Sequence, residues 1–309
     1  MKTKVKAVFA AFLAVTIMSC FCSCEKETSD TVMKVYGHKV SSDEYRYYWN
    51  NYKKSYPDLS FSETKDKCEE ALCNVYALYA LADDVGFKMS DDERKTIESD
   101  YEEGKAMYED EDSFKNALEA ANMTDGVYRN ILTVQTLEES LRKYMADESN
   151  NAIPLDDATV ENDINTNFIR IKQIFISNDD GDSKEENLKL AKDILVRLKA
   201  GISFDELRKQ YSEDEEQPDE GYCFTKGQMR EEIEYTSNSL TEYGISEVVE
   251  AEDGYFIIER LPLTEVYIND NFETLRYYYS CRVFNEKRAR LAEDIKIEYL
   301  PEFSDLGLN

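Results

Sequence analysis

The sequence has very little histidine, no excess of basic residues and no N-terminal apolar run long enough to span a membrane. His38 is its one histidine, and the seven cysteines include no second pair with zinc-motif spacing, so no metal site is predicted. The uncharged run 7–18 is shorter than the ~20 residues of a spanning helix. With 65 acidic residues against 37 basic ones, the formal charge is -28, which disfavours nucleic acid and anionic lipid head groups as partners. No phosphate-binding loop and no Ser/His/Asp set is found, and no cofactor is predicted.

The N-terminal segment has the layout of a bacterial export signal. Three lysines open the chain, the uncharged run follows, and Ile17-Met18-Ser19-Cys20 resembles a lipobox. We therefore expect a lipoprotein signal peptide at 1–19, a lipid anchor on Cys20 and a tether at 20–30. Cys24 is a poorer match to the lipobox and remains the alternative anchor, and plain secretion is the alternative to lipidation. In either case the chain is expected on the extracytoplasmic side of a bacterial membrane.

Residues 31–147 are predicted to be mostly helical. A strand pattern at 32–40 turns around Tyr36-Gly37-His38, so His38 is expected to be exposed and without a role. Ser41 begins a capping box, and the helical spacing of aromatic residues continues after it. Gly86 is expected to end the second helix in a left-handed cap.

The character of the chain changes after Pro154. Residues 168–177 alternate polar and apolar side chains, which predicts a strand, and Ser183 begins a capping box for a helix that Gly201 closes. A hairpin is predicted at Asp253-Gly254, giving a βααβαββ order. From Asn271 to about Tyr299 the pattern returns to helix. The predicted fold class is α+β.

Four segments of this second region resemble a parvulin-type peptidyl-prolyl isomerase domain: "IKQIFIS", "AGISFDELRKQYSED", "FTKGQM" and "DGYFIIER". The flanking "VYGHKVSSDEYRYY", "GFKMSDDE" and "FKNALEAANMTDGVYRNIL" resemble the helical region of PrsA- and SurA-type foldases. The resemblance implies a helical chaperone domain at 31–165, an inserted parvulin-like domain at 166–264 and a C-terminal helix at 265–309 that completes the helical domain.

The resemblance also implies where the chemistry lies. Asp214 stands at the acidic position of the catalytic loop, while Gln173 and Phe256 stand where parvulins commonly carry two histidines. Asp214 and Gln173 are therefore the candidate catalytic residues. The candidate substrate-binding residues are Met229, Phe224, Ile233 and Phe256.

The function implied is that of a membrane-anchored foldase acting on unfolded or proline-containing secreted proteins. Its helical domain is expected to hold clients against apolar and tyrosine-rich surfaces, and its parvulin-like domain to bind and weakly isomerise prolyl segments. The replaced histidines favour an alternative, a catalytically inactive parvulin-fold holdase or interaction scaffold. A third possibility is an acidic surface lipoprotein that binds a wall component or a cationic partner.

Overall fold

A computed structural model describes residues 30–178 and 183–308 of the chain. The predicted signal peptide and the two candidate anchors, Cys20 and Cys24, lie outside the described residues. The described chain divides into two compact units, one reaching to Ile153 and resuming at Val283, the other comprising Pro154–Arg282. Among the described residues, no helix combines the length and the apolar character needed to cross a bilayer. Helices dominate the first unit and a sheet lies within the second, as an α+β fold predicts.

The first unit begins with a hairpin of β1 (Thr31–Val35) and β2 (His38–Ser41). Its two turn residues, Tyr36 and Gly37, have φ angles of 48° and 75°, and such a turn matches the twist of the paired strands. The helices that follow are α1 (Ser42–Ser55), α2 (Phe61–Val85), α3 (Asp91–Ala106), α4 (Glu111–Ala120) and α5 (Asp125–Ala146). A single turn of 3₁₀ helix, Glu148–Asn150, follows α5.

Local capping explains where these helices begin and end. The Ser41 hydroxyl accepts a hydrogen bond from the Glu44 N–H at 3.1 Å, and Ser90 forms a reciprocal capping box with Glu93. Each cap satisfies a backbone donor that the first helical turn leaves free. Gly86 ends α2 at a φ of 73°, so the predicted left-handed cap is confirmed.

The sequence predicts helix up to about Tyr299, but in the structure the helix ends earlier and a strand follows it. Helix α11 (Phe272–Asp294) ends five residues before Tyr299, and Ile297–Tyr299 forms a strand antiparallel to β1. Lys34 and Glu298 face each other in this pairing and form an ion pair at 3.0 Å. The free edge of β1 thus gains a partner 264 residues away, which helical periodicity does not reveal. A 3₁₀ segment, Pro301–Leu306, follows.

The second unit has the predicted βααβαββ order at its centre. Its elements are α6 (Asp157–Asn167), β3 (Phe168–Ser177), α7 (Lys184–Lys199), α8 (Phe204–Tyr211), β4 (Tyr222–Thr225), α9 (Glu231–Ser239), β5 (Val249–Ala251), β6 (Gly254–Leu261) and α10 (Glu265–Asp270). The strands form one antiparallel sheet in the order β4-β3-β6-β5. Residues 154–165 and 265–282, assigned to the helical domain from the sequence, group with this unit. The last strand of the first unit, Ile297–Tyr299, is β7.

Side chains that alternate along β3 build two apolar layers. Ile174 and Ile176 pack against α7 and α8, whereas Ile169 and Ile171 pack on the opposite face against Ile233 of α9. The second layer contains the candidate site.

The environment of His38 differs from the sequence prediction. Its ring is half-buried against α2, with the ring centres of Tyr79 and Tyr76 at 4.5 and 5.5 Å. Burial lowers the pKa of His38, and the charge of Asp83 opposes that shift without cancelling it. The folded chain therefore favours the neutral imidazole.

The first prediction is that the free energy of unfolding falls as the pH drops below about 6.5, because the unfolded chain then binds a proton that folded His38 resists. The loss ends below the folded pKa. NMR titration of the single imidazole is expected to give a pKa below 6.5, and His38→Gln is expected to reduce the slope of stability against pH in the window between the folded pKa and 6.5. A folded pKa at or above 6.5 would contradict the burial effect.

Candidate functional site

The loop at 212–217 hydrogen-bonds along one edge of β3. Strand β4 pairs with β3 only from Phe168 to Ile171, which leaves the backbone groups from Gln173 to Ser177 without a strand partner on that side. Buried backbone groups must find other partners, because leaving them unpaired costs about as much as a lost hydrogen bond. The loop that follows α8 supplies these partners.

The side-chain amide of Gln217 bonds to β3 as the peptide group of a neighbouring strand would. Its side-chain Oε1 accepts from the Gln173 N–H at 2.7 Å, and its Nε2 donates to the Gln173 carbonyl at 3.2 Å. Further along, the Ser212 hydroxyl accepts from the Phe175 N–H at 3.1 Å, and the Glu213 N–H donates to the Phe175 carbonyl at 2.9 Å. Asp214 lies between these contacts, so the edge of β3 determines its position.

The Asp214 carboxylate accepts hydrogen bonds from two side chains of the sheet. The Gln173 Nε2 donates at 2.8 Å, and the Tyr222 hydroxyl lies 3.1 and 3.2 Å from the two carboxylate oxygens. Burial, followed by the charge of Asp214, raises the pKa of Tyr222 to about 12, so its hydroxyl remains a donor at neutral pH. The two candidate catalytic residues, Asp214 and Gln173, are thus in direct contact, with Tyr222 as a third member that the sequence analysis missed.

The amide of Gln173 is only half satisfied. The residue is 6% exposed, and its Oε1 has no hydrogen-bond partner among the described residues. Because the Asp214 carboxylate can only accept hydrogen bonds, the Gln173 amide must direct its nitrogen towards it. The amide oxygen then has no donor to bond with in the part of the chain that the structure describes. An unpaired buried acceptor costs ~1–3 kcal/mol.

The four candidate substrate-binding residues belong to one apolar cluster. Phe224, Ile233 and Phe256 are 3%, 1% and 5% exposed, while Met229 is partly exposed against them. In this conformation the first three form the floor of the cluster, and Met229 is the one that reaches the surface. Tyr222 joins the same cluster, so the Asp214 carboxylate lies at its margin.

Phe256, at the second histidine position, stacks on its cross-strand partner Phe175. The ring centres are 4.6 Å apart and the planes are inclined by 23°. Gln173 pairs with Ile258, two residues from Phe256 on the same face of β6. The site therefore combines a polar margin at Asp214 and Gln173 with an apolar side at the two phenyl rings.

The cysteines of the described chain are not arranged for chemistry. Cys68, Cys73, Cys223 and Cys281 are free thiols. Burial raises the pKa of Cys68 and of Cys223 to about 12, so both stay protonated at neutral pH and lack the reactive thiolate form.

Several tyrosines of the first unit are interior residues. Tyr45, Tyr48 and Tyr76 are 0%, 1% and 0% exposed, so they build its core and are not part of a client-binding surface. Helical spacing of aromatic residues predicted a buried stripe here, and packing accounts for it.

A cleft of about 600 Å³ in the first unit leaves other aromatic groups accessible. Tyr52, Tyr56 and Leu59 line one side of it, and Ala71 and Asn74 of α2 line another. Tyr56 is 58% exposed. The cleft has the size of known ligand pockets and offers apolar and hydroxyl groups beside the charged side chains of Lys67, Glu70 and Arg288.

Comparison with known proteins finds a described family to which part of the second unit is similar. Residues 158–261 match the PPIC-type PPIASE domain. Foldase protein PrsA 1 of Listeria monocytogenes is 25% identical over 244 residues, covering 76% of this chain and 78% of that protein. Foldase protein PrsA 1 of Bacillus cereus is 42% identical over 79 residues, which cover 24% of this chain and 27% of that protein.

Among solved structures, the crystal structure of foldase protein PrsA from Streptococcus pneumoniae is 18% identical and covers 86% of this chain and 93% of its own, with a TM-score of 0.37. The family match and the relative that spans three quarters of the chain agree with the order of segments along the sequence. The chain is thus similar to PPIC-type domains over residues 158–261 and to a PrsA foldase protein over about three quarters of its length.

Proposed function

We propose that this protein is an extracytoplasmic foldase that binds prolyl segments of unfolded secreted proteins in its parvulin domain and accelerates their cis–trans isomerisation weakly. The observation that carries the proposal is the contact of Asp214 with Gln173 at 2.8 Å beside an apolar cluster that includes Met229. Rotation about a prolyl bond needs no nucleophile, only a site that favours the twisted amide over the planar one. A fixed carboxylate at the margin of an apolar surface supplies such a site.

The competing candidate is a parvulin-fold holdase without catalysis. The near-complete burial of Phe224 and Phe256 supports it, because a proline ring must reach these side chains to be gripped. Both candidates bind prolyl peptides, and they differ in whether the rate of isomerisation rises.

The second prediction is that the full chain accelerates isomerisation of proline tetrapeptides and that Asp214→Ala reduces the acceleration by roughly 10–100-fold. Removing one oriented polar group from a preorganised site typically costs ~10²–10³-fold in rate, and we expect a smaller loss here because the proposed acceleration is itself weak. A protease-coupled or NMR exchange assay measures the rate.

Glu215→Ala is the matched control for this substitution, because Glu215 is an exposed acidic residue of the same loop. It is expected to keep the wild-type rate. Spontaneous rates from a folded wild-type chain would eliminate the isomerase and leave the holdase.

We further propose that the first unit holds unfolded client segments in the cleft beside Tyr56. An accessible aromatic ring beside apolar groups such as Leu59 and Ala71 binds exposed apolar side chains of an unfolded chain without requiring a particular sequence. This cleft lies within one compact unit, and its lining comes from α1, α2, the connection between them and Arg288 of α11.

The third prediction is that Tyr56→Ser raises the protein concentration needed for half-maximal suppression of client aggregation by roughly 2–10-fold. The reason is that each lost aromatic contact is worth ~0.5–1.5 kcal/mol. Light scattering of reduced α-lactalbumin measures the suppression. Since that client is itself acidic, attraction to the negative surface of the chain does not contribute.

Val196→Ser serves as the control, since Val196 is 65% exposed on α7 of the other unit. It is expected to leave the suppression unchanged. Equal losses from both substitutions would indicate a general effect of exposed apolar area and not a role for the cleft.

We also propose that Cys20 carries the lipid that anchors the chain on the outer face of the cytoplasmic membrane. The lipobox-like order Ile17-Met18-Ser19-Cys20 supports Cys20 over Cys24.

The fourth prediction is that Cys20→Ala abolishes incorporation of a labelled fatty acid in a bacterial host and releases the chain from the membrane fraction. Cys24→Ala is the control and is expected to retain both, whereas the reverse pattern would identify Cys24 as the anchor.

A further inference from the structure

The loop between β4 and α9 carries Met229 and closes around an acidic side chain. Three successive backbone N–H groups, those of Gly227, Gln228 and Met229, donate to Oε1 of Glu234 at 2.6, 3.0 and 3.0 Å. Successive N–H groups that converge in this way form an anion-binding concavity, and here the anion is a carboxylate of the chain itself. Hydrogen bonds to a charged acceptor are among the stronger ones in proteins.

The rest of the loop supports this arrangement. Gly227 has a φ of 85°, a left-handed conformation that a glycine adopts without strain. Gln228 is bonded in both directions to Thr225: its Oε1 accepts from the Thr225 N–H at 2.8 Å, and its own N–H donates to the Thr225 carbonyl at 3.2 Å. Beyond Met229, the Arg230 carbonyl accepts from the Glu234 N–H at 2.9 Å, and the Arg230 guanidinium donates to the Asp253 carboxylate at 2.6 Å. Glu234 therefore contacts the backbone on both sides of Met229.

Met229 is the one partly exposed residue among the four candidate substrate-binding residues, so a prolyl ligand meets it before the buried Phe224, Ile233 and Phe256. A methionine side chain has three rotatable bonds and adapts to what it contacts. What the protein can fix is the position of its backbone, and the bond from the Met229 N–H to Glu234 does so directly.

We propose that Glu234 is a positioning residue of the prolyl-binding site, acting on the ligand through Met229. This inference rests on the proposed function, because it assigns a role within that site. Without the carboxylate the three N–H groups turn to water, and the loop loses the geometry that presents Met229. Helix α9 keeps acidic residues in its first turn, Glu231 and Glu232, so its N-terminus retains favourable charges when Glu234 is replaced.

The fifth prediction is that Glu234→Ala in the full chain weakens binding of a proline tetrapeptide by roughly 10-fold and raises KM more than it lowers kcat, since a displaced contact residue impairs positioning. Glu234→Gln retains an acceptor oxygen and is expected to recover part of the loss. Glu232→Ala, an exposed acidic residue of the same helix, is the matched control and is expected to bind as the wild type does.

A double-mutant comparison separates positioning from a merely structural role. If Glu234 acts through Met229, adding Glu234→Ala to Met229→Ala causes no further loss of peptide binding. The ¹³C-methyl signal of Met229, identified by its disappearance in Met229→Ala, is expected to shift in Glu234→Ala and to stay unchanged in Glu232→Ala. An additive loss in the double variant, or an unmoved Met229 signal, would overturn the inference.

The wild-type arm distinguishes this inference from the proposal on which it rests. A wild-type chain that binds prolyl peptide while Glu234→Ala binds equally well overturns the role of Glu234 and leaves the proposed function standing. A folded wild-type chain that binds no prolyl peptide overturns both.

Discussion

The unpaired edge of β3 is the constraint on which the second unit depends. Strand β6 pairs with β3 along its length on one side, whereas β4 stops at Ile171 on the other. The remaining backbone groups on this edge, from the Gln173 N–H to the Ser177 N–H, are satisfied by side-chain and backbone atoms of the loop 212–217. Because buried peptide groups cannot be left without partners, the loop is fixed to the strand for reasons of stability alone. The position of Asp214 is a consequence of that attachment.

The position of the Asp214 carboxylate therefore does not depend on which side chains lie beside it. Gln217 holds the loop through the backbone of Gln173, so the side chain at that strand position can change without releasing Asp214. A glutamine where an imidazole is usual still donates one hydrogen bond to the carboxylate. The fold therefore tolerates loss of the histidine pair, and the retained domain architecture alone does not decide between an isomerase and a holdase. That decision depends on whether a proline ring can reach the floor formed by Phe224 and Ile233.

Features set by neighbouring residues were predictable from the sequence, and features set by distant ones were not. The alternation at 168–177 and the cap at Ser41 are local, and both were confirmed. The grouping of Met229 with the other candidate substrate-binding residues followed from the resemblance, and the structure brings them together in one apolar cluster. In contrast, β7 depends on an edge 264 residues away, and His38 is half-buried because α2 packs over it. Gln217 and Tyr222 carried no signal, since an isolated polar residue shows its partner only once the sheet is assembled.

The charged and apolar groups of the proposed site determine how it would favour a twisted prolyl amide without histidine side chains. A planar prolyl amide owes its barrier of ~18–20 kcal/mol to resonance, which places negative charge on the carbonyl oxygen. The twisted amide has lost that charge separation, so an apolar surface such as the stacked Phe175 and Phe256 stabilises it relative to the planar form. In the proposed complex, a carboxylate beside the carbonyl oxygen acts in the same direction, because it opposes negative charge on that atom. In that proposed complex, Asp214 and the phenyl stack would lower the barrier by the same electronic route. Phe256 at a position where the resemblance implies a histidine is therefore compatible with the proposed isomerase.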